Sequence, residues 1–232
     1  MKKKLLLLLL IAALTFSGCG RETPTPTPAP TSAPTAVPTP EPTPTPEPTP
    51  APPDKSELPG SVDKRTYTNR YFGIGCTLEP NWTFYTQGQI AELTGLAREK
   101  MDESTAAAFD EALAGGEAVY GMVAASNKLN LNLTVQSAEG TDAESVLAQS
   151  AGELAAVLES LGMNGAEITT DTLYFAGPVR PGMCIVGTLA EKPLCVRSTA
   201  LEAYGYIAVV TATAPTREEA DAILALWYAL GQ

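Results

Sequence analysis

Residues 129–136 read Leu129-Asn130-Leu131-Asn132-Leu133-Thr134-Val135-Gln136, and the chain continues through Thr141-x-x-Glu144 to Leu147, Ala151, Leu154, Leu158 and Leu161. The first stretch alternates strictly. A strand there puts Leu129, Leu131, Leu133 and Val135 on one face and amides and hydroxyls on the other. The second stretch repeats at helical spacing, opens on a capping-box pattern and stops at Gly162, a residue suited to the left-handed position after a helix. A two-faced strand followed by a long amphipathic helix is the kernel from which the rest of the fold can be read.

Downstream, 170–176, 183–189, 194–201 and 206–213 are rich in β-branched and apolar residues with turn residues between them, and predict a meander. The last of these is apolar on both faces, which predicts a central strand. Thr216-x-x-Glu219 then caps a C-terminal helix expected to bury Ile223, Leu224, Trp227 and Leu230. Upstream, 66–78 predicts two short strands joined by turn-forming Asn69 and Gly73, and 83–85 another extended piece. Thr86-x-x-Gln89 opens a helix whose face carries Ile90, Leu93, Leu96 and Ala97. A second helical stretch spans 104–114 with Phe109 and Leu113, 117–125 predicts a strand, and Asn127-Lys128 a turn. This order predicts an α+β fold, a largely antiparallel β-sheet flanked by helices.

Tyr67-x-Asn69 with Gly73-Ile74, then Pro80-x-Trp82, a helix, two strands, a long helix, a meander and a closing helix resemble the PsbP/DcrB-like fold over about residues 64–231. The resemblance implies an α/β/α sandwich used for assembly or binding, and it brings no catalytic motif.

The N-terminal part is of another kind. Lys2-Lys3-Lys4 precede ten apolar residues, Leu5 to Leu14, and then Ser17-Gly18-Cys19. Ten residues of helix span about 15 Å, half of a bilayer core, which suits a signal-peptide segment and not a membrane span. The layout resembles a bacterial lipoprotein precursor. That resemblance implies cleavage before Cys19, a lipid on Cys19, and a chain held at the extracytoplasmic face of the cell membrane; two acyl chains suffice for stable anchoring. Residues 1–18 are therefore expected to be a signal peptide. Residues 19–53 form the lipidated cysteine and a Thr/Pro spacer, and 54–232 a single domain. Fourteen of the 20 prolines lie in 23–53. Their alternation excludes helix and sheet and predicts a disordered, polyproline-II-like stalk reaching about 95 Å.

Setting aside Lys2, Lys3, Lys4 and Arg21 on one side and Glu22, Glu41 and Glu47 on the other leaves the domain with 11 basic and 23 acidic residues, net −12. Such a surface repels nucleic acid and anionic lipid or wall polymers and favours cations or basic partners, and no nucleic acid is expected as a partner. The chain has no histidine. This removes the usual general base and the commonest metal ligand, so no cofactor or metal is expected. Ser61-Val62-Asp63-Lys64 spells the nucleophile motif of penicillin-binding enzymes, but the other two motifs of that site do not occur, and it reads as chance. Gly73-Ile74-Gly75 lacks the third glycine and the helix of a phosphate loop. Acidic pairs at Asp102-Glu103, Asp110-Glu111 and Glu218-Glu219 sit where they favour helix dipoles and solubility.

These readings predict a non-enzymatic, membrane-anchored module whose partner is an envelope protein or glycan. The alternative from another class is a cell-wall glycan hydrolase using paired carboxylates, for which no spacing selects a pair. The candidate binding strip is Asn130, Asn132, Thr134 and Gln136, whose amides and hydroxyls suit sugar or peptide hydrogen bonds. The alternative for that strip is a solvated sheet face or the underside of a polar helix contact. With Cys19 lipidated, three cysteines remain. Cys184 and Cys195, on adjacent predicted strands, are the candidate disulfide; three buried thiols is the equal alternative.

Overall fold

A computed structural model describes residues 53–98, 118–160 and 162–231, with positions 103, 107 and 110 of a helical segment between the first two. After a 3-10 turn at Lys55–Glu57 come β1 (Ser61–Asp63), β2 (Thr66–Asn69), β3 (Ile74–Thr77) and β4 (Thr83–Phe84). Helix α1 (Gln87–Arg98), strands β5 (Ala118–Ser126) and β6 (Leu129–Ser137), and helix α2 (Ala143–Ser160) follow. The chain then runs through β7 (Met163–Tyr174), β8 (Val179–Leu189), β9 (Lys192–Ala203), β10 (Tyr206–Ala214), α3 (Arg217–Leu224) and β11 (Trp227–Ala229).

The strands form two antiparallel sheets instead of the one expected, and with the helices they make an α+β sandwich. The small sheet has the order β1-β2-β3-β11, and the large one β4-β5-β6-β10-β9-β8-β7. As its two apolar faces predict, β10 is the central strand of the seven. Leu131, Leu133, Val210 and Ala212 of the large sheet share a core with Tyr67, Ile74 and Trp227 of the small one. On its other face Met183, Ile185, Ala200, Ile207 and Val209 pack against Leu147, Leu154 and Leu158 of α2. Period two in the large sheet thus feeds two separate cores.

The capping patterns hold at α1 and α3. The Thr86 amide donates to Gln89 Oε1 (2.9 Å) and the Gln89 amide to Thr86 Oγ1 (3.3 Å). The Glu219 amide donates to Thr216 Oγ1 (3.2 Å). At α2 the cap is Asp142, not Thr141: its Oδ1 accepts from the Ser145 amide at 2.7 Å, and Glu202 of β9 accepts from the Ala143 amide. A cap supplied from a neighbouring strand lies beyond the reach of any local motif.

The C-terminal helix is shorter than its spacing predicts. It stops at Leu224, and 227–229 instead adds a strand to the edge of the small sheet, Trp227 opposite Cys76 and Tyr228 opposite Gly75. Trp227 is buried as expected, though from a strand. Gly75 makes room for this strand, because a Cβ there would stand 2.8 Å from the Tyr228 ring. β7 also begins earlier than read, at Met163, carrying a register shift between Asn164 and Glu167.

The polar strip is largely withdrawn from solvent. Asn130, Asn132 and Thr134 are 0–2% exposed, and only Gln136 is partly accessible. They lie beside Thr211 and Thr213 of β10 in a buried polar seam. Alternation specifies which face a residue takes, not what covers that face. Cys19, the signal segment, the spacer before Pro53, all of the expected helical stretch 104–114 except positions 107 and 110 (so Phe109 and Leu113 too), the side chains of Leu96 and Ala97, and Leu161 lie outside the described residues.

Candidate functional site

A cleft of about 930 Å³ opens at one end of the sandwich, where the two sheets present their turns to each other. One wall is the β2–β3 turn with Arg70, Tyr71, Phe72 and Gly73; the other is the end of β9 and its turn, with Glu202, Ala203 and Tyr204. Leu230, Gly231 and Pro53 complete it. The volume lies in the usual range for small-molecule sites.

Asn69 holds the first wall. It is fully buried; its Nδ2 donates to Leu58 O (2.9 Å) and Tyr67 Oη (3.0 Å), and its Oδ1 accepts from the Phe72 amide (3.1 Å). The side chain thereby supplies turn bonds that the backbone lacks, as asparagine does in tight turns. Tyr67 donates in turn to Pro59 O at 2.9 Å, and burial pushes its phenol well above the ordinary value. Gly73 closes the turn at φ 64°, and its carbonyl accepts from the Leu230 amide (2.9 Å), drawing the C-terminal strand to the cleft floor.

The second wall is the β9–β10 hairpin, whose two-residue connection is Tyr204-Gly205. Both residues have positive φ, 47° and 80°, the pattern of the primed turns that match strand twist. Glycine adopts this freely and asparagine readily. A tyrosine there is an outlier costing on the order of 1–3 kcal/mol. Tyr71 offsets part of that cost: its Oη donates to Tyr204 O (3.2 Å), and the two rings meet edge to face at 5.6 Å. Tyr206 also meets Tyr71 edge to face at 5.6 Å, under Lys55 Nζ at 5.5 Å. The result is an aromatic cluster whose outermost ring, Tyr204, remains 47% exposed at the rim.

Arg70 is exposed on the same rim and also lines a neighbouring depression of about 420 Å³, which shares Thr68 with the cleft. Glu202 faces the cleft with its carboxylate engaged at the α2 N-terminus. The arrangement can stack a flat or C–H-rich group on Tyr204 and meet an acceptor or anion at Arg70.

No family model matches the chain, and no curated protein is similar to it. Among solved structures, the crystal structure of LpqN, involved in cell envelope biogenesis of Mycobacterium tuberculosis, is similar with a TM-score of 0.33. The identity is 9%, over 68% of this chain and 83% of that one.

The residues singled out from sequence lie elsewhere. The polar strip is in the buried seam. Cys184 and Cys195 are buried free thiols with sulfurs 3.4 Å apart on β8 and β9. The hydrogen bond from Cys195 and the nearby Arg197 and Arg217 charges lower the Cys184 thiol against the pull of burial. Cys195 is raised by the same contact with Cys184 and by burial. Cys76, buried in the same core, is pushed up to about 12 by burial.

Beside the thiol pair lies a four-charge cluster. Arg197 is only 2% exposed yet bonds Asp171 twice, at 2.7 and 3.0 Å, and Asp221 at 2.8 Å. Arg217 of α3 completes it on Asp171 and, at 3.6 Å, on Asp221. The cluster fastens α3 across β9 to β7. Gly182 leaves the space, since a Cβ there would stand 2.6 Å from Asp171 Oδ1.

Among the described residues no three of His, Cys, Asp and Glu are grouped to hold a metal, and no helix is long and apolar enough to cross a membrane. Sequence reading passed over Tyr204. The available signal was Tyr-Gly where a two-residue hairpin turn calls for Asn-Gly.

Proposed function

We propose that this chain is a binding module of the cell envelope, held to the membrane by a lipid on Cys19, and that its ligand sits in the cleft between Tyr71 and Tyr204. One observation carries the reading: a half-exposed aromatic ring displayed on a strained turn at the rim of a preformed cleft. Strain persists where surrounding structure over-determines it, and such places cluster at binding sites. The resemblance of the sequence's expected element order to PsbP/DcrB-like proteins supports an assembly or binding role, and the run of lysines, short apolar stretch and Cys19 support the anchor.

Among the described residues, binding is favoured over hydrolysis by the state of the carboxylates that converge, Asp171 and Asp221. Asp171 and Asp221 are both held by arginines. Burial would raise Asp171, yet the bonds from Arg197 and then Arg217 keep its carboxyl below the usual range. A general acid needs the opposite shift.

The test uses the mature chain and its Tyr204→Asn variant against fractionated envelope extract. Asparagine suits the left-handed position, so the variant keeps the turn and loses only the ring. Saturable retention of one fraction by the wild type, lost in the variant at unchanged melting temperature, is the expected result. Equal retention by both would remove the cleft from the function.

A further inference from the structure

We infer that β7, which among the described residues has no strand on its outer side, is a dimerisation edge. It pairs antiparallel with β7 of a second copy about a two-fold axis through Thr170, joining two seven-stranded sheets into one of fourteen. This surface lies apart from the cleft between Tyr71 and Tyr204 and does not depend on what that cleft binds.

A sheet edge presents unpaired N–H and C=O groups, and proteins ordinarily blunt it by keeping the strand short or by placing lysine or proline on it. The other three edges among the described residues are short: β4 has two residues, β1 and β11 three each. β7 has twelve, Met163–Tyr174, with neither lysine nor proline. Its register with β8 shifts between Asn164 and Glu167, then runs unbroken from Glu167 to Tyr174. Exposure singles out the same stretch. Of the six large apolar side chains exposed among the described residues, three stand here: Ile168 (41%), Tyr174 (78%) and Val179 (53%), the last opposite Tyr174 on β8. All three share one face with Thr170 and Thr172. The pairs Ile168–Ile185 and Thr170–Met183 place that face on the side of α2, since Ile185 and Met183 belong to the core under that helix.

Charge and symmetry select the register. A two-fold contact keeps every side chain on its own face only if paired positions have an even sum, so the partner strand moves in steps of two residues. Centred on Thr169, the pairing sets Glu167 against the second copy's Asp171. Centred on Asp171, it sets that carboxylate against itself, and like charges directly opposite are unfavourable. Centring on Ile168 draws in Gly165 and Ala166, where the register breaks, and centring on Thr172 keeps only 170–174. Centred on Thr170, the whole run from Glu167 to Leu173 pairs: Glu167 meets Leu173, Asp171 meets Thr169 and Ile168 meets Thr172. The second copy's Ile168 then stands diagonal to Tyr174, within reach of an aromatic ring. A depression of about 480 Å³, which Leu147 and Ala148 of α2 form with Thr170 and Thr172, lies beside it. Symmetry repeats the contact on the other side of the axis. Asp171 adds little repulsion, because Arg197 and Arg217 already neutralise it. At longer range two domains of net −12 repel each other, so salt should tighten this dimer; it would weaken the hold on a basic foreign strand.

The test uses the unlipidated mature chain with Cys19→Ser, so that no N-terminal thiol interferes. Sedimentation should show a monomer–dimer equilibrium that shifts toward dimer with added salt. Thr170→Cys should form a disulfide-linked dimer under mild oxidation, because residues opposite one another across an antiparallel pair have Cα atoms about 4.5–5.5 Å apart, within disulfide reach. Thr172→Cys, equally exposed and on the same face, should not, since its own copy lies four positions away, about 13 Å. Ile168→Lys should weaken the dimer at least about tenfold and leave the melting temperature unchanged at a concentration where the wild type is monomeric. Equal cross-linking at 170 and 172, or a dimer indifferent to Ile168→Lys, overturns the assignment. A chain that stays monomeric to about 1 mM overturns it as well. Hydrogen exchange then tells whether the amides of 167–173 are covered by the chain's own N-terminal tract or stand free for another protein.

Discussion

Arg197 carries a full charge at 2% exposure, a position that costs several kcal/mol unless paired. Its partners Asp171 and Asp221 sit at the sheet margin, 30% and 43% exposed, so the cluster is buried on the arginine side and wet on the other. Asp171→Asn should therefore destabilise the domain at neutral pH by no more than about 3 kcal/mol, because Asp221 still shares the guanidinium. The pH dependence follows from the direction of the shift. A carboxyl held below its unfolded value contributes above the unfolded pKa, about 3.9, and loses that contribution as pH falls through the lower folded value. Wild type and Asp171→Asn should then converge in urea midpoint as pH drops from about 5 toward 2; a constant gap would place the effect in packing, not charge. The thiol pair next to this cluster makes a second test. Glutathione disulfide should oxidise Cys184 and Cys195 together, two electrons and two protons passing to the added disulfide. A denatured thiol titration should then find Cys76 alone. The bridge closes a short loop and should add about 2–3 kcal/mol. Three titratable thiols after prolonged oxidation would mean the strands hold the sulfurs in contact without a bonding geometry.

At the scale of elements, the terminal strand separates what a local pattern can say from what only pairing decides. Ile223, Leu224 and Trp227 fall on one helical face, but Trp227–Ala229 pairs with β3, where Gly75 admits the Tyr228 ring. Gly75→Ala should push that ring outward, break its 3.3 Å contact with Thr77 Oγ1 and cost about 1 kcal/mol. In a Tyr228→Ala background the cost should largely vanish, a coupling of at least about 0.5 kcal/mol in urea denaturation. Additive effects would separate the two residues. Caps were readable because both partners lie within four residues: Thr86 with Gln89, Thr216 with Glu219. So were the central position of β10 and the apolar stripe of α2, which periodicity alone specifies. The Glu202 bond to α2 crosses 59 positions, and alternation at Asn130 and Asn132 does not say whether their face is covered. The cleft was illegible for the same reason. Its walls are two turns more than 130 residues apart in sequence, joined by Tyr71 reaching Tyr204.

For the whole molecule, the decisive relation is between a domain expected from residue 54 onward and an anchor expected at Cys19. The Thr/Pro tract between them carries no apolar residue larger than Val37, so it has nothing to add to either core. Deleting residues 25–50 should leave the melting temperature and the cleft's affinity for a purified ligand unchanged. Reach should change instead: 26 residues of polyproline II span about 80 Å. Replacing them with a Gly/Ser tract of equal count gives a coil averaging about 25–30 Å, so it should restore only part of any function lost in cells. The control is Cys19→Ala, which should remain unprocessed and take up no labelled fatty acid. A chain that is processed and labelled despite that change has its anchor elsewhere, and the distance argument loses its origin. With the anchor confirmed, full cellular function after the deletion would place the ligand at the membrane surface. Loss of function with the isolated cleft intact would place it farther out, at the height the stalk provides.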